Sequence, residues 1–239
     1  MNIIAIIIFF LLLGNEKQSN DLFFPWEKAK TEKIEHIAPS IYKIGSITID
    51  MSKNEVVLPG KINEVTWVAV EYLAVSKGGK LHESIIALDS EPIHINLGLI
   101  LIGLTPGKKK LKYQGDPSTP EGTPVNIFVE WDEEKNVVKK DKIEKIKETK
   151  RIRAEELVLN TKENKPMKNT HWVYTGSFFD EENRFRAQIS KSVIAVYHDP
   201  DALIDNPLKE GGESNVYGVN KEKCPPIGTP VRLIIQKIK

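Results

Sequence analysis

The chain has 239 residues, with 34 basic against 33 acidic and 40% apolar side chains, the composition of one or two soluble globular domains. The near-even balance excludes a nucleic-acid binder that relies on bulk charge, and excludes an acidic disordered chain. The lone cysteine, Cys224, excludes an internal disulfide, a thiolate zinc knuckle and a four-thiolate iron–sulfur cluster; between Lys223 and Pro225-Pro226 it reads as a small, partly buried hydrophobe.

Residues 3–13 form an unbroken apolar run of eleven. A membrane-spanning helix needs about 20 residues, whereas a signal-peptide core needs about 7–15. No Lys or Arg precedes the run and no Ala-x-Ala follows it. Leu12-Leu13-Gly14 would suit a lipidated leader, but Asn15 stands where the cysteine would be. The expectation is an exported protein of the cell envelope, periplasmic or extracellular, that meets the membrane only through a signal peptide or short leader over residues 1–15. Residues 16–40 then form a polar arm and residues 41–239 a single domain.

Residues 44–50 and 55–58 read as short strands around Met51-Ser52-Lys53-Asn54. Residues 65–75 are apolar on both pleat faces except at Thr66 and Glu71, the pattern of a central strand covered on both sides. Gly78-Gly79 marks a turn, so residues 81–88 are expected to return as a hairpin partner. Asp89-Ser90-Glu91-Pro92 is a helix-start signal, and residues 93–104 are apolar nearly all round, which predicts a buried helix. Seven Pro and Gly residues between Pro106 and Pro124 mark a long loop or boundary.

The second half suits strands at 125–131, 171–179, 184–189, 193–197 and 231–238, the middle three as a meander. Gly-Thr-Pro-Val occurs at 122–125 and again at 228–231, each time leading into an apolar run; proline at a strand's start forfeits no ladder bond. Residues 138–153 carry eight basic side chains among Asp141, Glu144 and Glu148. Acids interrupt the run and no aromatic ring interleaves, so it reads as a solvated face or lengthened hairpin rather than a phosphate-binding patch.

Chemistry gathers around three histidines at the ends of regular elements: His82 in His82-Glu83-Ser84, His94 in the first helical turn, and His198 in His198-Asp199-Pro200-Asp201. Imidazoles with a carboxylate are what a catalytic zinc requires. The spacing matches no standard metal motif, however, and on a strand His82 and Glu83 would point to opposite faces. Counting Asp199 as the first position of an EF-hand puts Leu203 and Ile204 where an oxygen ligand and a glycine belong, so a helical-turn cap is the better reading. No G-x-S-x-G, P-loop, G-x-G-x-x-G or S-x-x-K pattern occurs.

Four stretches together carry a resemblance: Gly79-Lys80-x-His82-Glu83-Ser84, the apolar helix through Pro106-Gly107, Trp172-Val173-Tyr174-Thr175-Gly176-Ser177, and Pro225-Pro226-x-Gly228-Thr229-Pro230-Val231. With these the chain resembles the bacterial YdjY-domain family from about residue 44 to 235. The resemblance implies an exported or envelope-associated protein and supplies no assigned activity. The expected fold is α+β: a β-rich mixed or antiparallel sheet, or sandwich, on one buried α-helix. The expected function is a binding or structural module for an unknown small molecule or envelope protein, without nucleic acid and without a cofactor. The competing reading is a metal-dependent hydrolase with a divalent metal such as zinc on His82, His94 and His198, and Glu83 or Asp199 as its catalytic carboxylate.

Overall fold

The computed structural model describes residues 33–67, 69–139 and 142–238, with no side chains described over 136–144. The leader at 1–15 and the arm as far as residue 32 lie outside the described residues.

The strands are β1 (Ile34–Ala38), β2 (Ile41–Ile44), β3 (Ile47–Asp50), β4 (Glu55–Ile62), β5 (Tyr72–Ser76), β6 (Ser84–Leu88), β7 (Thr123–Lys139), β8 (Lys142–Arg153), β9 (Val158–Asn160), β10 (Lys165–Pro166), β11 (Trp172–Tyr174), β12 (Ser192–Ala195), β13 (Ile204–Asp205), β14 (Tyr217–Val219) and β15 (Pro230–Lys237). Following the hydrogen-bonded neighbours from β4 gives β15, β7, β11, β13, β12, β5 and β6, and β6 pairs back onto β4. The sheet is therefore a closed eight-stranded barrel. A meander of β1, β2 and β3 extends it from β4, β8 pairs on β7, and β10-β9-β14 form a small separate sheet.

Closure corrects the expected fold class. A sheet or sandwich laid on one buried helix needs that helix to cover its apolar face, whereas a barrel fills its interior with its own inward side chains. Alternation supplies them: Val56, Leu58 and Ile62 from β4, Val125, Ile127 and Val129 from β7, and Val231, Leu233 and Ile235 from β15 are all buried in one core. The only substantial helix among the described residues, α1 (Pro92–Leu101), packs on β3 and β4. It buries Ile95, Gly98 and Leu99, while Ile93, Leu97, Ile100 and Leu101 are only partly covered. At Gly98 a Cβ would lie 3.0 Å from Ile47 Cδ1, so the missing side chain lets the helix come close to β3.

Other expectations give way to long-range pairing. β5 and β6 are parallel neighbours, not a hairpin, and residues 77–83 carry the chain back between them through Gly78-Gly79 and a 3-10 turn at Leu81–Glu83. The run 65–75 forms a strand only from Tyr72. Residues 184–189 give no strand; α2 (Arg186–Ser190) takes their place, and the expected meander is replaced by a parallel β12–β13 pair. Ile204–Asp205 is strand where a capped helical turn was expected. The repeated Gly-Thr-Pro-Val leads into β7 and β15, which are antiparallel neighbours. The basic run 138–153 belongs to a long β7–β8 hairpin, where Arg151 pairs with Glu130 at 3.1 Å and Lys145 with Glu134 at 3.1 Å.

Candidate functional site

The three histidines do not share a site. His198 is fully buried, and its Nδ1 and Nε2 lie 2.7 Å and 2.8 Å from the backbone oxygens of Asp116 and Asn206. Each ring nitrogen thus faces a carbonyl oxygen, and neither faces a space that could hold a metal ion. His94 stands half-buried at the start of α1 beside Glu91, whose carboxylate is held by Lys191 at 2.6 Å and Gln188 at 2.6 Å. His82 lies on the surface, with its ring 5.2 Å from that of Trp67. Among the described residues no group of three or more His, Cys, Asp and Glu side chains is arranged to hold a metal ion.

What the fold does assemble is a different constellation that includes three of the sequence candidates. Residues 81–83 form a 3-10 turn in which His82 is exposed and Glu83 is buried. The Glu83 side chain is 6% exposed, with Oε1 3.5 Å from His82 Nε2. Its neighbour is Glu71, placed by backbone bonds: Glu71 N donates to Glu83 O at 3.0 Å, and Val196 N and Tyr197 N donate to Glu71 O at 2.8 Å and 3.1 Å. Lys80 Nζ donates to Glu71 Oε2 at 2.8 Å, and Gln114 Nε2 to the same oxygen at 2.6 Å. Lys80 stops 3.7 Å from Glu83 Oε2. That oxygen is buried, and no N–H or hydroxyl group of the described residues donates to it.

The network continues inward. Leu73 enters the main core, while the adjacent Tyr72 belongs to a second small apolar cluster with Val75, Ala195 and Ala202. From there Tyr72 Oη donates to Asp199 Oδ2 at 2.8 Å. Asp199 Oδ1 accepts from Asp201 N at 2.9 Å, and Asp199 N donates to Asp205 Oδ2 at 2.9 Å. His82, Glu83 and Asp199 thus lie along one chain of polar contacts, apart from His94 and from the His198 ring.

The charges follow from these contacts. Burial pushes the Glu83 carboxyl up, and the hydrogen bond and negative charge of Glu71 push it further, against the weaker pull of Lys80 and His82. Burial also works to raise Glu71, but its bonds to Lys80, to the Glu83 carboxyl and to Gln114 outweigh it and hold Glu71 below the ordinary range. The pair favours one shared proton, carried on the Glu83 side. Burial likewise raises Asp199, despite the donors Asp201 N and Tyr72.

Above the pair lies a cleft of about 50 Å³ walled by Trp67, Ala69, Tyr197 and the turn from Glu213 to Tyr217. Trp67 is 60% exposed. The opposite wall is fastened by Val70 N donating to Tyr217 O at 2.9 Å. Glu71, Lys80, Gln114 and Trp67 were not among the sequence candidates. Two signals pointed at them: Glu71 is one of two polar interruptions in the run 65–75, and Lys80 stands in the Gly79-Lys80-x-His82-Glu83-Ser84 word.

The cleft thus lies at the surface of a closed eight-stranded barrel. The family model for the YdjY domain matches residues 47–236, and the chain belongs to the YdjY-domain family. No curated protein matches the chain. No solved structure matches it either.

Proposed function

We propose that this YdjY domain is an exported binding module of the cell envelope, and that the cleft over Glu71 and Glu83 is its recognition site. One observation carries the reading: Glu83 is buried, yet one of its oxygens lacks a protein donor, and it lies beneath an exposed tryptophan. Two carboxyls held together in a partly desolvated site cannot both ionise cheaply and satisfy each other only through a shared proton. A fold does not keep that arrangement for stability, whereas a ligand donor makes it an asset. The export half of the proposal rests on the apolar run at residues 3–13.

A fragment panel read through the Trp67 indole N–H resonance tests the recognition site. Binding at the cleft is expected to move that resonance and to vanish in Trp67→Ala. Protein purified without chelator is expected to hold less than one equivalent of zinc, manganese or iron. A full equivalent lost in His82→Ala would instead establish the metal-dependent hydrolase. N-terminal sequencing from an envelope fraction tests export, and an intact Met1 in the cytosol would refute it.

A further inference from the structure

We infer that the cleft takes a protonated nitrogen group, an ammonium or guanidinium, seated on the Glu71–Glu83 pair and walled by Trp67. The inference rests on the cleft being the recognition site and adds the chemical class of the ligand.

The lining decides the sign of the charge. Three of the side chains around the cleft are carboxylates, Glu71, Glu83 and Glu213, and none of the lining side chains is basic. Glu213 is already paired with Lys162 at 2.5 Å and stands at the rim. On the floor, Lys80 and Gln114 both engage the same oxygen of Glu71, which leaves the buried Oε2 of Glu83 without a donor. An anion placed there would meet two carboxyls at close range. A cation with N–H donors supplies what that oxygen lacks.

The shared proton is the resting alternative, because two adjacent carboxyls cannot both ionise cheaply in a partly desolvated site. A bound cation replaces that proton as the neutralising charge and offers several donors where the proton offers one. Trp67, Tyr197 and Tyr217 line the same space, and the exposed Trp67 ring offers a face of the kind that attracts cations.

Size and ligand number narrow the class further. A cleft of about 50 Å³ holds more than one water, for which roughly 10–15 Å³ suffices, and suits a single head group better than a whole sugar ring. Calcium takes about six to eight oxygen ligands. Among the described residues no three His, Cys, Asp or Glu side chains are arranged to hold such an ion.

The test uses the full chain and the Trp67 indole resonance, with n-butylammonium and n-butylguanidinium against n-butanol and butyrate. The two cations are expected to bind and the alcohol and acid to fail. Glu83→Gln, which keeps the shape of the side chain, is expected to weaken the cations by about tenfold or more, the loss of one charge-assisted hydrogen bond. A second variant at the rim, Glu213→Gln, is expected to change affinity by less than about threefold, as exposed charges do, and a single cooperative melting transition shows that each variant is folded. An acetylated, amidated Gly-Lys-Gly peptide separates the sources. Tighter binding than butylammonium marks a polypeptide side chain as the ligand, and equal or weaker binding marks a free amine; both support the cation class. Butanol binding as well as butylammonium, or Glu83→Gln binding it undiminished, overturns the inference. Neutral or anionic probes that move Trp67 while cations do not would overturn it too, yet leave the cleft a recognition site. If no probe moves Trp67, both readings fall.

Discussion

His198 and Glu83 are both buried polar side chains on this barrel, and they are treated in opposite ways. Both nitrogens of the His198 ring lie within hydrogen-bond distance of a backbone carbonyl. Glu83 keeps one oxygen without a donor and opens toward a cleft. The first arrangement fastens the 116, 198 and 206 segments together; the second leaves capacity to bind something. The proposed recognition site rests on that difference in hydrogen-bond saturation rather than on residue type or burial.

The comparison breaks most visibly on the saturated side. His198→Leu leaves at least one buried carbonyl without its donor, so a loss of about 1–3 kcal/mol is expected in denaturant unfolding. A loss under about 1 kcal/mol would mean the ring is not the fastener proposed. Gly211→Ala probes the same place without touching a polar group. A Cβ there would collide with the His198 ring at Nε2, and overpacking of this kind costs about 1–3 kcal/mol.

On the unsaturated side the effects are smaller and depend on pH. Because its folded carboxyl is raised above the ordinary 4.5, Glu83 contributes stability that is full below that value and is lost as pH rises through the raised one. Glu83→Gln cannot titrate. The wild type is therefore expected to lose stability relative to Glu83→Gln as pH rises from about 5, and urea midpoints at several pH values check this. Parallel curves would show that Glu83 is not held protonated. Asp116 gives the opposite sign. Hydrogen bonds from Lys112 N and Ser118 N hold its carboxyl at about 2. Its contribution is present above the ordinary 3.8 and is lost as pH falls toward 2, a loss that Asp116→Asn should not show. The smallest effect is expected at Trp67→Ala, within about 0.5 kcal/mol in stability, because the ring is largely in solvent.

Much of the strand content was legible in the chain. The alternation at 231–238 and 125–131, and the proline-led Gly-Thr-Pro-Val at their starts, mark β15 and β7 directly. The helix-start signal at 89–92 placed α1 within one residue of Pro92. The site was legible in part: the Gly79-Lys80-x-His82-Glu83-Ser84 word contains Lys80 and Glu83, two of its central residues. What misled was the assumption that like residues act together. His82, His94 and His198 share a side chain, but the fold sends one to the surface, one to a helix start and one beneath a loop. Glu71 passed as an exception in an apolar run, since nothing local shows that Glu83 and Lys80 come to meet it.

By itself the sequence determined the β-rich character of the chain, its family, the main strands and the start of its helix, because these depend on composition, alternation and local capping. The tertiary structure alone decided that the sheet closes, that β5 and β6 run parallel, and that Glu71 and Glu83 share a cleft. Each of those depends on which strand edges meet. Backbone hydrogen bonds between distant segments settle that, and they are chemically alike at every residue except proline.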